Sequence, residues 1–374
     1  MKRTFIAMVA LLLFAFSGLT TYAQGDAAAA ASWIAAQIGA DGGFGDGFSE
    51  GSSLSATVDA VLAGTAAGQD VSSWGSDRSP LDLIATNADQ AATVGLQAKT
   101  VLAAVASGQA PRDFGGVDLL TPLNDAYDAD SGSFGGMVTD HALAMLAWHA
   151  VGEAIPTEAV DALKALQGED GGWSFDGSSQ SDTNTTGLAL QALAAAGDAD
   201  DSQVVSAALD YLRGQQNEDG GFPYQNPSDF GTESDANSTA WVVQGLLATD
   251  QSLADWNDPV AFLASLQGDD GALQWKADVP GANFLATVQA VPALAQRTFV
   301  DLPVVAAAQP PTVGAADDEA TTAETDAVEG GAESDAPTEL PETGESQPLT
   351  APLFTLLIGG AALLAAADLR RRAA

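Results

Sequence analysis

Between residues 24 and 305 the chain alternates two kinds of apolar stretch, and the alternation recurs. The first kind is short and runs through a Gln into an acidic glycine turn. Trp33-Ile34 and Gln37 lead to Asp41-Gly42-Gly43-Phe44. Leu163-Lys164-Ala165-Leu166-Gln167 leads to Asp170-Gly171-Gly172-Trp173. Tyr211-Leu212 and Gln216 lead to Asp219-Gly220-Gly221-Phe222, and Phe262-Leu263 and Gln267 to Asp270-Gly271 and Leu273. A weaker copy runs through Tyr127, Asp130, Gly132 and Phe134. The second kind follows each turn and is rich in Ala and small residues. Three of these carry Gln at one phase: Gln191-Ala192, Gln244-Gly245 and Gln289-Ala290.

Each unit is predicted to be helix, glycine loop, helix. Glycine ends the first helix by supplying positive φ at low cost, and the aromatic after it returns as a wedge between units. Leu81 to Val105, with Gln97-Ala98, reads as a further pair that has lost its glycine loop. Strand patterns are nearly absent. A single pair cannot bury its apolar face, so copies must stack. Six units are legible, the second degenerate. Six pairs can close into an inner and an outer ring, an all-α (α/α)6 barrel.

The ends of the chain read differently. Lys2 and Arg3 precede an apolar core, Phe5 to Phe16, and Thr21-Tyr22-Ala23 offers a small residue for cleavage. Residues 1–23 are thus predicted to be a secretory signal peptide; the apolar stretch is short for a permanent anchor. Residues 306–339 are rich in Ala, Thr, Glu, Asp, Pro and Gly and have almost no large apolar side chains. Such a segment buries too little surface to order itself, and its charges extend it into a stalk. Residues 340–374 open with Leu340-Pro341-Glu342-Thr343-Gly344. An apolar run, 349–367, and Arg370-Arg371-Arg372 follow.

Charge and cysteine content narrow the chemistry. The formal net charge is −38 with 12 basic residues, and five of those lie in the two end segments. That excludes nucleic acid and anionic lipid as natural partners. Without cysteine there is no disulfide, thiol nucleophile or cysteine metal site.

The Gln-x-x-Asp-Gly-Gly-Trp pattern, most specific over Leu166 to Trp173, resembles the QW-type repeat of the terpenoid cyclase and protein prenyltransferase superfamily. The resemblance covers essentially the whole of 24–305 and implies an αα-toroid. Non-enzymatic toroids similar to the transcobalamin-like carriers share that fold, so the fold alone leaves function open. The C-terminal motif, apolar run and basic stop resemble the sorting signal read by sortases. The resemblance implies cleavage between Thr343 and Gly344 and covalent transfer to cell-wall peptidoglycan. A plain C-terminal membrane anchor is the alternative.

Class II terpene cyclases carry Asp-x-Asp-Asp-Thr-Ala at the entrance of an inner helix, and its middle Asp protonates the substrate. Two segments occupy the matching place: Asp182-Thr183-Asn184-Thr185-Thr186-Gly187 and Asp235-Ala236-Asn237-Ser238-Thr239-Ala240. Both put Asn, at 184 and 237, where the resemblance implies the acid. A carboxamide hydrogen-bonds but gives no proton. The literal Asp198-Ala199-Asp200-Asp201 lies between units and reads as a helix cap on the opposite rim. Prenyltransferase zinc needs a Cys that is absent. His141 and His149, two turns apart, read as one polar lining residue and one surface residue. The glycine-turn carboxylates could attract calcium only weakly, for want of dense ligand spacing; no other cofactor is expected. Trp33, Phe44, Trp173 and Phe222 are expected to be core wedges, and Trp148 and Trp241 cavity lining.

The sequence therefore predicts an exported, wall-anchored toroid that binds a small-molecule, glycan or peptide ligand and does no covalent chemistry. Asp182, Asn184, Thr185, Asp235, Asn237 and Ser238, at the mouth where second helices begin, are the ligand-binding candidates. A divergent cyclase with a displaced acid and a structural spacer or adhesin are the alternatives. An open apolar cavity with a buried carboxylate would favour an enzyme, an open cavity without one binding, and a filled centre a scaffold.

Overall fold

A computed structural model describes residues 25–47, 50–199, 203–229 and 231–302. The leader, the stalk and the sorting signal with Leu340, Pro341, Glu342, Thr343 and Gly344 lie outside the described residues, as do Asp200 and Asp201.

Six helices form an inner ring: α2 (Leu54–Ala66), α4 (Val94–Ala106), α6 (Val138–Ala150), α8 (Thr183–Ala195), α10 (Ala236–Ala248) and α12 (Phe284–Leu294). Each packs on the next, and α12 packs back on α2, so the ring is closed. Their partners lie outside: α1 (Ala27–Ala35), α3 (Pro80–Asn87), α5 (Leu120–Asp125), α7 (Thr157–Ala165), α9 (Val204–Gln215) and α11 (Pro259–Ser265). The chain is an αα-toroid of six helix pairs. Its strand content among the described residues is a two-residue hairpin, Tyr127–Asp128 with Ser133–Phe134, and isolated bridges.

Sequence dictates which helix goes where. In α8 every residue from Thr183 to Leu193 is buried, so the helix has no solvent face. In α7 the buried residues are Ala159, Val160 and Leu163, a single stripe. Gly187 and Gly245 let α8 and α10 approach until a methyl group on either would press into the other helix's backbone.

The repeat has its own locking chemistry. Inner helices start at Ser53, Thr93, Asp182, Asp235 and Asn283, whose side chains accept an N–H three residues on. Four residues after the cap, Thr57, Thr186, Thr239 and Thr287 accept the backbone N–H of Phe44, Trp173, Phe222 and Leu273 at 2.9–3.1 Å. In the third unit His141 takes that place, its Nδ1 accepting from Phe134 N–H at 3.2 Å. The second unit has Gln97 there, which donates instead to Ala91 O, in keeping with its missing loop.

Neighbouring units join through the motif Gln. Gln167 Nε2 donates to Gly171 O within its unit and to Val204 O of the next, both at 2.8 Å. The last such Gln closes the ring: Gln267 exchanges two hydrogen bonds with the Asp26 backbone at 2.8 Å. Gly271 abuts Ala29 as Gly171 abuts Ala207, each at positive φ and too close to a carbonyl for a side chain.

Candidate functional site

The six sequence candidates lie on the N-terminal turns of adjacent helices α8 and α10, at the glycine-loop rim. Five are buried and Asn237 is half-buried, and an open recess of about 520 Å3, bordered by Asp219, Ser234 and Lys276, lies beside them. Asp182 accepts from Thr185 N–H at 2.7 Å and from Thr185 Oγ1 at 2.8 Å, with the Tyr224 hydroxyl as a further donor. Burial pushes its carboxyl up to about 7 against those hydrogen bonds. Asp235 repeats the arrangement with Ser238 N–H at 2.8 Å and Ser238 Oγ at 2.9 Å. Burial pushes it to about 6, with Lys276 pulling the other way. Burial beside Asp182 also raises the Tyr211 and Tyr224 phenols.

Asn184 and Asn237 sit two residues past these caps. Asn184 Oδ1 accepts from Thr183 Oγ1 at 3.3 Å. Asn237 Nδ2 donates to Gln289 Oε1 of α12 at 2.8 Å. Neither place holds an acid. The two carboxylates beside them are spent on their own helix N-termini.

The axis holds further polar groups: beside Trp241, which lines a gap there as expected, stand Asp59 and Lys99, which no sequence motif singled out. Where α2, α4, α10 and α12 converge, a gap of about 20 Å3 is bordered by Asp59, Lys99, Trp241, Gln244, Gln289 and Phe299. Asp59 and Lys99 are buried there as an ion pair. Phe299, from the segment after α12, lies across the axis: its N–H donates to Gln191 Oε1 at 3.1 Å. Its ring meets Trp241 edge-on, with centroids 5.9 Å apart. Gln191 Nε2, Trp241 Nε1 and Gln244 Oε1 are buried with no hydrogen-bond partner among the described residues. The signal for Asp59 and Lys99 was present in the sequence: opposite charges stand at one repeat phase, each inside an apolar second helix.

Other expectations resolve individually. His141 is buried, with Nε2 2.8 Å from Ala159 O and Nδ1 on the Phe134 N–H; burial keeps it neutral. It therefore locks loop to helix and does not line the axis. His149 is half-buried in the last turn of α6. Trp148 donates to Asn124 Oδ1 at 2.7 Å and meets Phe134 and Tyr127 edge-on, so it is not a cavity residue. Phe44, Trp173 and Phe222 are fully buried wedges, whereas Trp33 is half-buried against Phe284. Asp41, Asp170 and Asp219 each accept from a loop N–H and from a Ser hydroxyl, which commits them to the turn. Asp198 pairs with Lys164 beyond the C-terminus of α8, on the rim away from the glycine loops. Among the described residues no cluster of three His, Cys, Asp or Glu is placed to hold a metal. Nor is any described helix long and apolar enough to cross a membrane.

The comparisons with known proteins fit this architecture. Residues 138–287 match the family model of the squalene-hopene cyclase C-terminal domain, and residues 2–89 that of the prenyltransferase alpha-alpha toroid domain. A protein from Actinoplanes is 16% identical, with 72% of this chain and 97% of that one covered and a TM-score of 0.52. The type II terpene cyclase MstE from Scytonema, in its apo form, is 15% identical over 72% and 97% of the two chains, TM-score 0.52. A variant of that cyclase in complex with its substrate, geranylgeranyl dihydroxybenzoate, is 14% identical over 72% and 96%, TM-score 0.52. At such identities the likeness speaks for the fold. No curated protein matches the sequence. The chain is thus an αα-toroid in which those two stretches are similar to the squalene-hopene cyclase and prenyltransferase toroid domains.

Proposed function

We propose that this chain is an exported, cell-wall-anchored toroid that acts as a non-catalytic binding module at the cell surface. The filled axis carries the non-catalytic part of the proposal, since it leaves no room for a prenyl chain among the inner helices; the binding part rests on the recess of about 320 Å3 at its end, beside Phe299. A site for a drug-sized or larger ligand occupies roughly 300 Å3 or more. The gap between the inner helices, where Lys99, Asp59, Trp241 and Phe299 meet, is about 20 Å3. The leader, stalk and LPETG segment support the surface location, with sortase and peptidoglycan as the implied partners. The same filled axis fits a structural spacer or adhesin, for which the toroid is a rigid head.

One observation favours a divergent cyclase. Asp182 and Asp235 hold their protons to about 7 and about 6, as a general acid near neutrality must. Their oxygens, however, face their own N-terminal amides. The test is incubation of the secreted chain with squalene, oxidosqualene and geranylgeranyl diphosphate. No product above the buffer control is expected. A cyclic product that disappears in Asp182→Asn or Asp235→Asn would replace the binding module with an enzyme. For the anchor, Thr343→Ala is expected to abolish covalent wall attachment, read by mass spectrometry of muramidase-released protein. Detergent extraction of intact chain still carrying Gly344 onward would show a membrane anchor instead.

A further inference from the structure

Three polar atoms at the axis, Gln191 Nε2, Trp241 Nε1 and Gln244 Oε1, have no partner among the described residues, and their side chains are at least nine-tenths buried. Two are donors and one is an acceptor. Donors and an acceptor are the kinds of partner that peptide backbone offers and takes. The occupant already there is a peptide. After α12 the chain turns at Gln296, at φ 50°, and crosses the end of the toroid. Thr298 and Asp301 tie this crossing into a turn, Thr298 Oγ1 donating to Asp301 Oδ2 at 3.0 Å. The Phe299 N–H takes Gln191 Oε1, and its ring takes the Trp241 face. A recess of about 320 Å3 lies between the crossing, whose Arg297, Thr298, Phe299, Asp301 and Leu302 form one wall, and Leu62, Thr65, Ala66, Ala106 and Pro292 on the other. The chain's own segment therefore uses only part of the hydrogen bonding and part of the space.

We propose that the C-terminal end of the toroid axis is a peptide-binding site held shut by residues Thr298 to Leu302, and that its partner is an extended peptide bearing an aromatic side chain. Gln191 reads the peptide backbone, Trp241 reads the aromatic ring, and the recess takes the flanking residues. Displacing the resident segment costs its hydrogen bond and ring contact. The incoming peptide regains both and adds the unused partners.

This inference rests on the chain being a binding module, and its test is independent of the prenyl assay above. The probe is a capped hexapeptide with the sequence of residues 297–302, titrated calorimetrically into the secreted full chain. Phe299→Ala opens the site and is expected to tighten binding at least tenfold over wild type. Asp301→Asn, which loosens the turn at an exposed position, is expected to tighten it less, and guards against misfolding of the first variant. Adding Gln191→Leu to either variant is expected to weaken binding at least tenfold with thermal stability retained. Absence of binding to a folded Phe299→Ala or Asp301→Asn chain would overturn the proposal. So would binding that ignores Gln191→Leu, or equal binding of a hexapeptide with Gly in place of Phe. If the peptide fails while no prenyl substrate turns over, the surface-module reading stands without this site.

Discussion

The glycine-loop rim and the opposite end of the axis both bury polar side chains, more of them on the rim, and they treat them differently. On the rim the polar groups recur from unit to unit and most find partners, Ser55 Oγ and Gln97 Oε1 being exceptions among the described residues. The cap Asp or Ser meets a helix N–H, the residue four further on meets the wedge N–H, and the motif Gln bridges to the next unit. On the axis the groups recur only in part: Gln191 and Gln244 share a place nine residues past their caps. The position six residues past the cap is Asp59, Lys99, Leu143, Leu188, Trp241 or Gln289 according to the unit, and two of the Gln side chains and one Trp keep an unpaired atom. Buried polar groups are nearly always satisfied. Repetition with satisfaction is what a scaffold requires. Variation without satisfaction points to recognition, and here it sits at the end of the ring where the sequence analysis did not place a ligand.

The comparison breaks first if the rim is not structural. Trp173 is fully buried, and its indole N–H donates to Leu163 O at 2.8 Å. Trp173→Ala is expected to cost about 3–5 kcal/mol by chemical denaturation. A cost below about 1 kcal/mol would mean that the wedge does not hold the units together.

The next effect is a pH dependence. The folded Asp182 carboxyl titrates at about 7, above its unfolded value. Between the ordinary carboxylate range and about 7 the folded protein keeps a proton that the unfolded chain has lost, so stability falls as pH rises through that window and levels off above it. Asp235, titrating at about 6, adds a second descent with the same sign. Asp182→Asn keeps a capping side chain and removes the proton. Its melting temperature is expected to fall less between pH 4 and pH 7 than that of wild type, in thermal scans read by circular dichroism. An unchanged slope would show that the carboxylate is ionised in the fold, its hydrogen bonds outweighing burial.

Thr186→Val follows. It leaves the buried Trp173 N–H without its acceptor and is expected to cost about 1–3 kcal/mol. The same exchange at Thr239 should match it, because Phe222 N–H depends on Thr239 alike. Unequal costs would show that the units are alike in sequence but not in energetics.

The two regions also differ in how legible they were. The ring of six pairs, the wedges at Phe44, Trp173 and Phe222, and the degenerate second unit follow from local signals that recur: glycine turns, a phase-locked Gln, small-residue helices. Asn184 and Asn237 could be placed because they sit in a motif. The role of His141 as a stand-in for the repeated Thr was hidden by its chemistry, which invites thoughts of metal or cavity lining. The axis was only partly legible, for a physical reason. Asp59 and Lys99 stand at one repeat phase on neighbouring α2 and α4 and could be paired from sequence, but what Gln191 meets is Phe299, over a hundred residues away. Buried centres depend on long-range closure, and local periodicity carries no record of it.

The smallest expected effect is the sharpest discriminator. Trp241 Nε1 has no acceptor among the described residues, and the indole borders the axial gap. Trp241→Phe deletes the unpaired donor and keeps an aromatic face for Phe299. Removing an orphaned donor is favourable and losing part of the indole's packing is not, so the terms oppose. The net change is expected to lie within about 1 kcal/mol of zero by urea denaturation, far below that of Trp173→Ala. The same variant should weaken the hexapeptide's binding in the Phe299→Ala background, because one of two amide donors is gone. A large stability loss would mean that Trp241 is as structural as the rim wedges. The axis would then be core, and the distinction between the two ends would fail.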